Sequence, residues 1–274
     1  MELRAVRINP QNKEGLVGTY KEVFKGHPWH EDLICANSVL EINDPKKCMV
    51  QYTKSPCEKF DLDKKAGIIE NDCRECFVKR FDSSQKSGII HLNGQNLEKC
   101  IGCGDNLRLI DFYPDFTDHI SLIDEAVAHK GFVGYILKND SDIIGFSWGY
   151  DVPHENTKSV KFSLVTPELI KKNVVPEETF YGAEVGIVDK FQNSGHGTIT
   201  SGLRIAAAAN EGKKAYVTRT INPYIISMLE KMFSGTPGEF LFKDPERDSS
   251  WYRWDMQNLN RDYLNNRACN IIHE

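Results

Sequence analysis

Across residues 180 to 210 the chain changes its hydrophobic period at a short glycine-bearing turn, which constrains the fold more than any other stretch. Phe180 to Val188 alternates and closes on the apolar Val185, Ile187 and Val188, the pattern of a strand. Ile199, Leu203, Ile205 and the run Ala206 to Ala209 then recur at helical spacing, and Gly212 supplies the stop. Gln192-Asn193-Ser194-Gly195-His196-Gly197-Thr198 lies between them. A glycine turn opening a helix leaves several backbone N–H groups unpaired at the positive end of the helix dipole, a geometry that binds phosphate. Taken alone, the stretch also reads as an ordinary strand–turn–helix connection.

Two common phosphate loops are excluded by the residues themselves. A P-loop requires Gly-Lys-Ser/Thr, whereas Thr198 and Ile199 follow Gly197. A dinucleotide fingerprint requires a third glycine where Thr200 stands, and a first glycine directly after the strand, whereas Lys190 to Ser194 intervene. The pattern that does fit is Gln/Arg-x-x-Gly-x-Gly/Ala, carried by Gln192, Gly195 and Gly197.

With 274 residues, 40% of them hydrophobic, the chain has ample material for one large core or two smaller ones. No apolar run approaches the roughly 18 residues of a membrane span, and Met1 to Arg7 lacks the apolar core of a signal peptide. A cytoplasmic protein with no membrane partner is expected. The net charge of −5 argues against broad nucleic-acid affinity.

Four of the eight cysteines form two knuckles, Cys73-Arg74-Glu75-Cys76 and Cys100-Ile101-Gly102-Cys103. Each Cys-x-x-Cys turn points two thiolates at one place, so the pair predicts a tetrahedral Zn2+ site of a zinc-ribbon type. Gly102 and Gly104 permit the tight turn that such a knuckle needs. Redox pairs and chance pairing are the competing accounts, and Cys57 is an alternative ligand. A closed site of four thiolates has no open coordination position, so its role is structural. Residues 46–104 carry 11 Lys+Arg against 8 Asp+Glu, a mildly basic segment best read as a solvated face.

Elsewhere the pattern predicts a strand over 2–8, a helix from Glu14 to Phe24 and another from Ser121 to Lys130. Phe132 to Leu137 and Ile143 to Asp151 read as a hairpin turning at Asn139-Asp140-Ser141-Asp142. Leu164 to Asn173 reads as a helix, and Ala215 to Thr220 as a strand. Asn222-Pro223 opens a helix with cap and N1 proline in the favoured order. A last hairpin joins Glu239–Lys243 to Ser250–Met256.

This order of elements resembles the GNAT superfamily of N-acetyltransferases, as does the Gln192 to Gly197 loop. The segment Tyr20 to Glu31, with Phe24, Pro28 and Trp29, is similar to the family's opening aromatic-x-x-x-Phe-x-x-x-Pro-Trp-x-Glu. Asn222 through Leu229-Glu230-Lys231-Met232-Phe233 is similar to its Asn-capped helix. The resemblance implies an α+β fold: a mixed, mostly antiparallel central sheet flanked by helices. The domain would comprise residues 1–45 and 105–256, with the zinc-ribbon segment 46–104 inserted and 257–274 as a C-terminal tail.

The resemblance also implies a function: transfer of an acetyl group from acetyl-CoA to a primary amine on a small molecule or a protein. Ile187 and Val188 would offer backbone groups to the pantetheine arm where the strand splays from its neighbour. The amides of Asn193, Ser194, Gly195, His196, Gly197 and Thr198, in the loop begun by Gln192, would hold the pyrophosphate. Asn222 would bond the pantetheine, and Glu184 would act as general base. Two departures stand out: Leu229 occupies the position of the family's acid tyrosine, and Met232 that of its glycine. Leu229 keeps open a second reading, a catalytically weak CoA-binding or zinc-ribbon module that recognises protein or nucleic acid. A third, an NADP enzyme using Gly195, Gly197 and Arg219, fits the loop less well. The acceptor and the oligomeric state are open.

Overall fold

The computed structural model describes residues 2–25, 33–35, 49–53, 87–91, 97–100, 104–111, 116–154, 160–220, 222–244, 249–269 and 271–273. In chain order the elements begin with β1 (Leu3–Arg7), α1 (Lys13–Lys25), β2 (Leu33–Cys35), β3 (Met49–Thr53), β4 (Ser87–His91) and β5 (Leu109–Asp111). They continue with α2 (Phe116–Ala128), β6 (Val133–Asn139), β7 (Asp142–Asp151), α3 (Val160–Lys171), β8 (Thr179–Ile187) and α4 (His196–Asn210). The last are β9 (Ala215–Thr220), α5 (Pro223–Met232), β10 (Glu239–Lys243), β11 (Ser250–Asp255), α6 (Arg261–Ala268) and β12 (Ile272–His273). Two units contain them: residues 1–19 with 120–274, and residues 20–119.

The first unit is built on an eight-stranded sheet in the order β10-β11-β9-β8-β7-β6-β1-β12. Among the described residues of this sheet, β8/β9 and β1/β12 pair in parallel and the other pairs are antiparallel. The fold is thus the mixed, mostly antiparallel α+β sheet with flanking helices that the resemblance implies. The hairpin β6–β7 turns at Asp140 and Ser141, where Asn139 pairs with Asp142 and Asp140 takes φ +53°. Asn222 caps α5 as its sequence requires, its Oδ1 accepting from the Tyr224 amide at 2.9 Å.

One face of the sheet packs against α4, α5 and α6. Phe180, Tyr216, Ile205, Ala208, Leu229, Phe233 and Trp254 form its core, each large apolar side chain there contributing about 1.5–3 kcal/mol by burial. The opposite face carries an aromatic cluster of Tyr150, Phe162, Tyr181 and Trp251, with ring centroids 5.3–6.4 Å apart. Among the described residues no helix is long and apolar enough to cross a membrane.

The segment 257–274 is not a tail. Asn260 caps α6 through Tyr263 N (2.9 Å) and donates its own amide to the Met232 carbonyl (2.7 Å). Leu264 packs against Gly202 of α4, where an added Cβ would lie 2.6 Å from Leu264 Cδ2. β12 then extends the sheet beside β1.

The second unit holds a four-stranded sheet in the order β4-β3-β2-β5, with β3/β4 parallel. β2 and β5 lie outside 46–104, so the sheet of this unit reaches beyond the predicted insertion on both sides. Close to it in sequence, Lys99 and Asn106 form an antiparallel bridge. Gly104 (φ +78°) closes that turn, donating its amide to the Cys100 carbonyl at 2.7 Å. Cys73, Cys76 and Cys103 lie outside the described residues, as do His27 to Glu31. Among the described residues no cluster of His, Cys, Asp or Glu gathers as a metal site.

Candidate functional site: a parting of two strands above a helix N-terminus

The parallel ladder between β8 and β9 runs from Thr179–Ala215 to Gly182–Thr218 and stops there. Both strands continue, β8 to Ile187 and β9 to Thr220, so they part in a V toward their C-terminal ends. At the same level β8 bulges. Gly182 faces Gly149 of β7 while Glu184 faces Trp148, which leaves Ala183 without an opposite residue.

Beneath the bulge lies Arg204 of α4, only 2% exposed. Its Nη1 donates to the carbonyls of Trp148 (2.6 Å) and Glu184 (2.8 Å), and its Nη2 to Tyr216 Oη (2.9 Å). Arg204 therefore binds the bulge on β7 and β8 to the side chain of β9. Tyr216 reaches it because residue 182 is glycine: a Cβ there would lie 1.9 Å from the phenol oxygen. Burial raises the Tyr216 phenol above its ordinary value, and the Arg204 charge opposes that shift. Nothing in the sequence pattern pointed to Arg204 or Tyr216 as partners. The available signal was a lone arginine between Leu203 and Ile205 on the apolar stripe of a helix.

Ile187 and Val188, the two residues expected at the splay, face opposite ways. Val188 donates its amide to the Ile144 carbonyl (3.0 Å), so it faces β7 and not the gap. Antiparallel ladders alternate, so Ile187 and Val185 turn their backbone groups to the open side. The Ile187 carbonyl on that side already accepts from Gln192 Nε2 at 3.0 Å.

Gln192 thus braces the loop, and it also donates to Asp189 Oδ1 (2.8 Å). Asn193 (φ +57°) and Gly195 (φ +84°) take left-handed conformations that turn the chain into α4. Gly195 is the N-cap and offers no side chain to the helix. The amides of His196, Gly197 and Thr198 precede the first helical bond, from Ile199 N to Gly195 O (3.1 Å), and belong to the unsatisfied first turn. His196 turns its ring inward, Nδ1 donating to the Phe191 carbonyl at 3.0 Å; only its backbone faces the loop.

Glu184 is half-buried and lies on the aromatic face of the sheet. Burial pushes the Tyr150 phenol far above its ordinary range, and Tyr181, Glu184 and Glu125 push the same way while Arg219 opposes them. Glu184 and Tyr150 therefore share one electrostatic environment. Arg219 pairs with Asp244 (3.4 Å), whose carboxylate also accepts from Trp251 Nε1 (3.0 Å). Asn222 spends its side-chain oxygen on the α5 cap. Leu229 is wholly buried in the core, and Tyr224 is 67% exposed. Asp151 pairs with Lys213 (2.6 Å) and His154 with Glu177 (3.0 Å), away from the V at the other end of the strands.

No protein-family model and no curated protein matches the sequence. Solved structures resemble it over about half of the chain. An acetyltransferase of the GNAT family from Staphylococcus aureus is 10% identical, with a TM-score of 0.34, over 52% of this chain and 80% of that one. An acetyltransferase from Thermus thermophilus is 12% identical, with a TM-score of 0.35, over 52% and 75%. A CoA-dependent acyl-homoserine lactone synthase is 14% identical, with a TM-score of 0.39, over 52% and 68%. Likenesses this distant describe arrangement only.

Proposed function

We propose that this protein is an acetyl-CoA-dependent N-acyltransferase acting on a primary amine. The observation that carries the reading is the parting of β8 from β9 after Gly182–Thr218, which opens directly toward the Gly195 loop. An open strand edge takes the amides of a pantetheine arm as it would take another strand. The first-turn amides of α4 and the left-handed Gly195 receive the diphosphate.

The amine then attacks the thioester carbonyl from the aromatic face. Its nitrogen lone pair forms the C–N bond, and the resulting oxyanion is stabilised by a backbone N–H of the open edge. The C–S bond breaks as the oxyanion collapses and the attacking nitrogen gives up its second proton to solvent, yielding the neutral amide and the CoA thiolate. An amine with a pKa near 10.4 must first lose a proton, which costs about 4–5 kcal/mol at pH 7 at 1.36 kcal/mol per unit. Glu184 is the base for that proton, directly or through a water. With Leu229 buried, no phenol stands at that position of α5, and the thiolate leaves unprotonated or takes its proton from solvent.

Isothermal titration with acetyl-CoA and a thiol-release assay over a panel of amines test this. Saturable binding with turnover on at least one amine is expected; absence of binding overturns the reading. Leu229 favours the second reading, a CoA-binding module, and tight binding without turnover on any amine would select it. Acceptor identity, small molecule or protein, follows from the same panel.

We also propose that Cys73, Cys76, Cys100 and Cys103 hold a structural Zn2+. Support comes from Cys100, 1% exposed at the head of the turn that Gly104 closes. A closed thiolate site cross-links a segment with little core of its own. Metal analysis of the parent and of Cys73→Ser tests it; unchanged zinc content in the variant overturns it.

A further inference from the structure

We propose that Arg267, at the last turn of α6, is a binding residue for the diphosphate of the acyl donor. This inference rests on the acyl-CoA reading above and extends it to an element outside the loop motif. A side-chain carbon built on Gly195 would lie 3.4 Å from Arg267 Nη1, so the guanidinium stands at the left-handed cap of α4. The loop itself supplies dipoles, but Gln192 is neutral and its carboxamide is already engaged by Ile187 and Asp189. Lys190 sits over the Phe191 ring, 5.0 Å from its centroid. A doubly charged ligand at this place lacks a cation from the loop motif, and α6 provides one.

The placement of Arg267 is built into the fold. Gly202 allows α6 to approach α4 closely through Leu264, and Asn260 fixes the start of α6 to the end of α5. The exposed Arg267 guanidinium lies over the Tyr263 ring, 5.5 Å from its centroid, a cation–π contact on its own helix. No carboxylate among the described residues lies within ion-pair distance of it. The competing account is a cation complementing the C-terminal dipole of its own helix. That account predicts an effect on stability and none on the donor.

Titration calorimetry of the full chain with acetyl-CoA, acetyl-dephospho-CoA and acetyl-pantetheine separates these. Arg267→Ala is expected to weaken acetyl-CoA binding about tenfold, the scale of one charged hydrogen bond. The loss should persist with acetyl-dephospho-CoA, vanish with acetyl-pantetheine, which has no phosphate, and shrink as salt is raised. Arg267→Lys should recover part of it, and Arg261→Ala, on the same helix but bonded to Asn210, should leave affinity unchanged. If the parent binds acetyl-CoA and Arg267→Ala binds it equally, the inference fails while the acyltransferase reading stands. A penalty confined to the ribose-phosphorylated donor would move Arg267 off the diphosphate and overturn the assignment. Failure of the parent to bind acetyl-CoA removes the reading itself.

Discussion

Gly182 is where the structure makes its most demanding claim, because the last rung of the β8/β9 ladder tolerates no side chain. In Gly182→Ala the new Cβ would stand 1.9 Å from Tyr216 Oη, 2.5 Å from Cζ and 2.8 Å from Cε2. The ring has little room to retreat: Tyr216 is 2% exposed, with the Phe233 and Trp254 rings 5.9 and 6.2 Å away. Overpacking of this kind costs about 1–3 kcal/mol. If the phenol is displaced, its bond from Arg204 Nη2 is lost as well, about 1.5–3 kcal/mol for a charged donor. The combined loss is about 2.5–6 kcal/mol, a large part of a stability that is typically about 5–15 kcal/mol. At roughly 2–4 °C per kcal/mol for a chain of this size, Tm should fall by about 5–24 °C. Scanning calorimetry measures it. Gly18→Ala is the control: nothing lies within 4 Å of its Cβ, and alanine inside a helix is favoured by roughly 0.5–1 kcal/mol. Adding Tyr216→Phe removes the nearest overlap, so the double variant should be less destabilised than the sum of the singles. A Gly182→Ala protein melting within about 2 °C of its parent refutes the argument that this rung is closed by Tyr216.

Gly195→Ala forces a side chain into φ +84°, costing about 1–2 kcal/mol; a Tm a few degrees lower and weaker acetyl-CoA binding by calorimetry are expected. Glu184→Gln should lower kcat by roughly 10²–10⁴ while leaving KM for acetyl-CoA unchanged. Its rate should recover in part as pH rises toward the amine pKa, read by thiol release between pH 7 and 9.5. Tyr150 and Tyr216 hold their protons more tightly folded than unfolded. Their contribution is therefore complete below about pH 10, the unfolded value, and declines as pH rises beyond it. Urea midpoints from pH 8.5 to 11 should fall accordingly, with a smaller fall in Tyr150→Phe.

How much of this was legible in the sequence depends on how each residue announces itself. β8, its turn and α4 were readable because the apolar period changes from two to about 3.6 across a turn that carries Gly195 at the helix cap. Asn222 was readable because Asn-Pro has one favoured place, at a helix start. α6 was not: of its eight residues only Leu264 is buried, so no apolar stripe repeats. Its position depends on Gly202, a contact invisible without the fold. Arg204 was hidden by the opposite problem, since a charged residue is read as surface unless a partner is known. Its partners are two backbone carbonyls and a phenol, none of which carries a sequence signature. Val188 looked equivalent to Ile187 because register, not residue type, decides which backbone faces the gap.

The topology explains why the gap, the loop and the cation of α6 share one end of the molecule. β8 and β9 run parallel in the middle of the sheet, so the chain must cross back over the sheet between them. That crossing is α4, which therefore begins beside the C-terminal end of β8 and points its N-terminal amides outward there. Parallel strands joined in this way accept ligands beyond their carboxyl ends. Because β8 and β9 part only after Gly182 and Thr218, the V opens toward that same end. Had they parted at Thr179 and Ala215 instead, the gap would face Asp151 and Lys213, far along the strands from Gly195. A ligand long enough to lie along the open edge of β8 must then place its far, charged end on the first turn of α4. α6, held against α4 at Gly202, adds the guanidinium of Arg267 at that point. An elongated acyl donor with an anionic end matches that sequence of surfaces, and a compact nucleotide would leave the open edge of β8 uncovered.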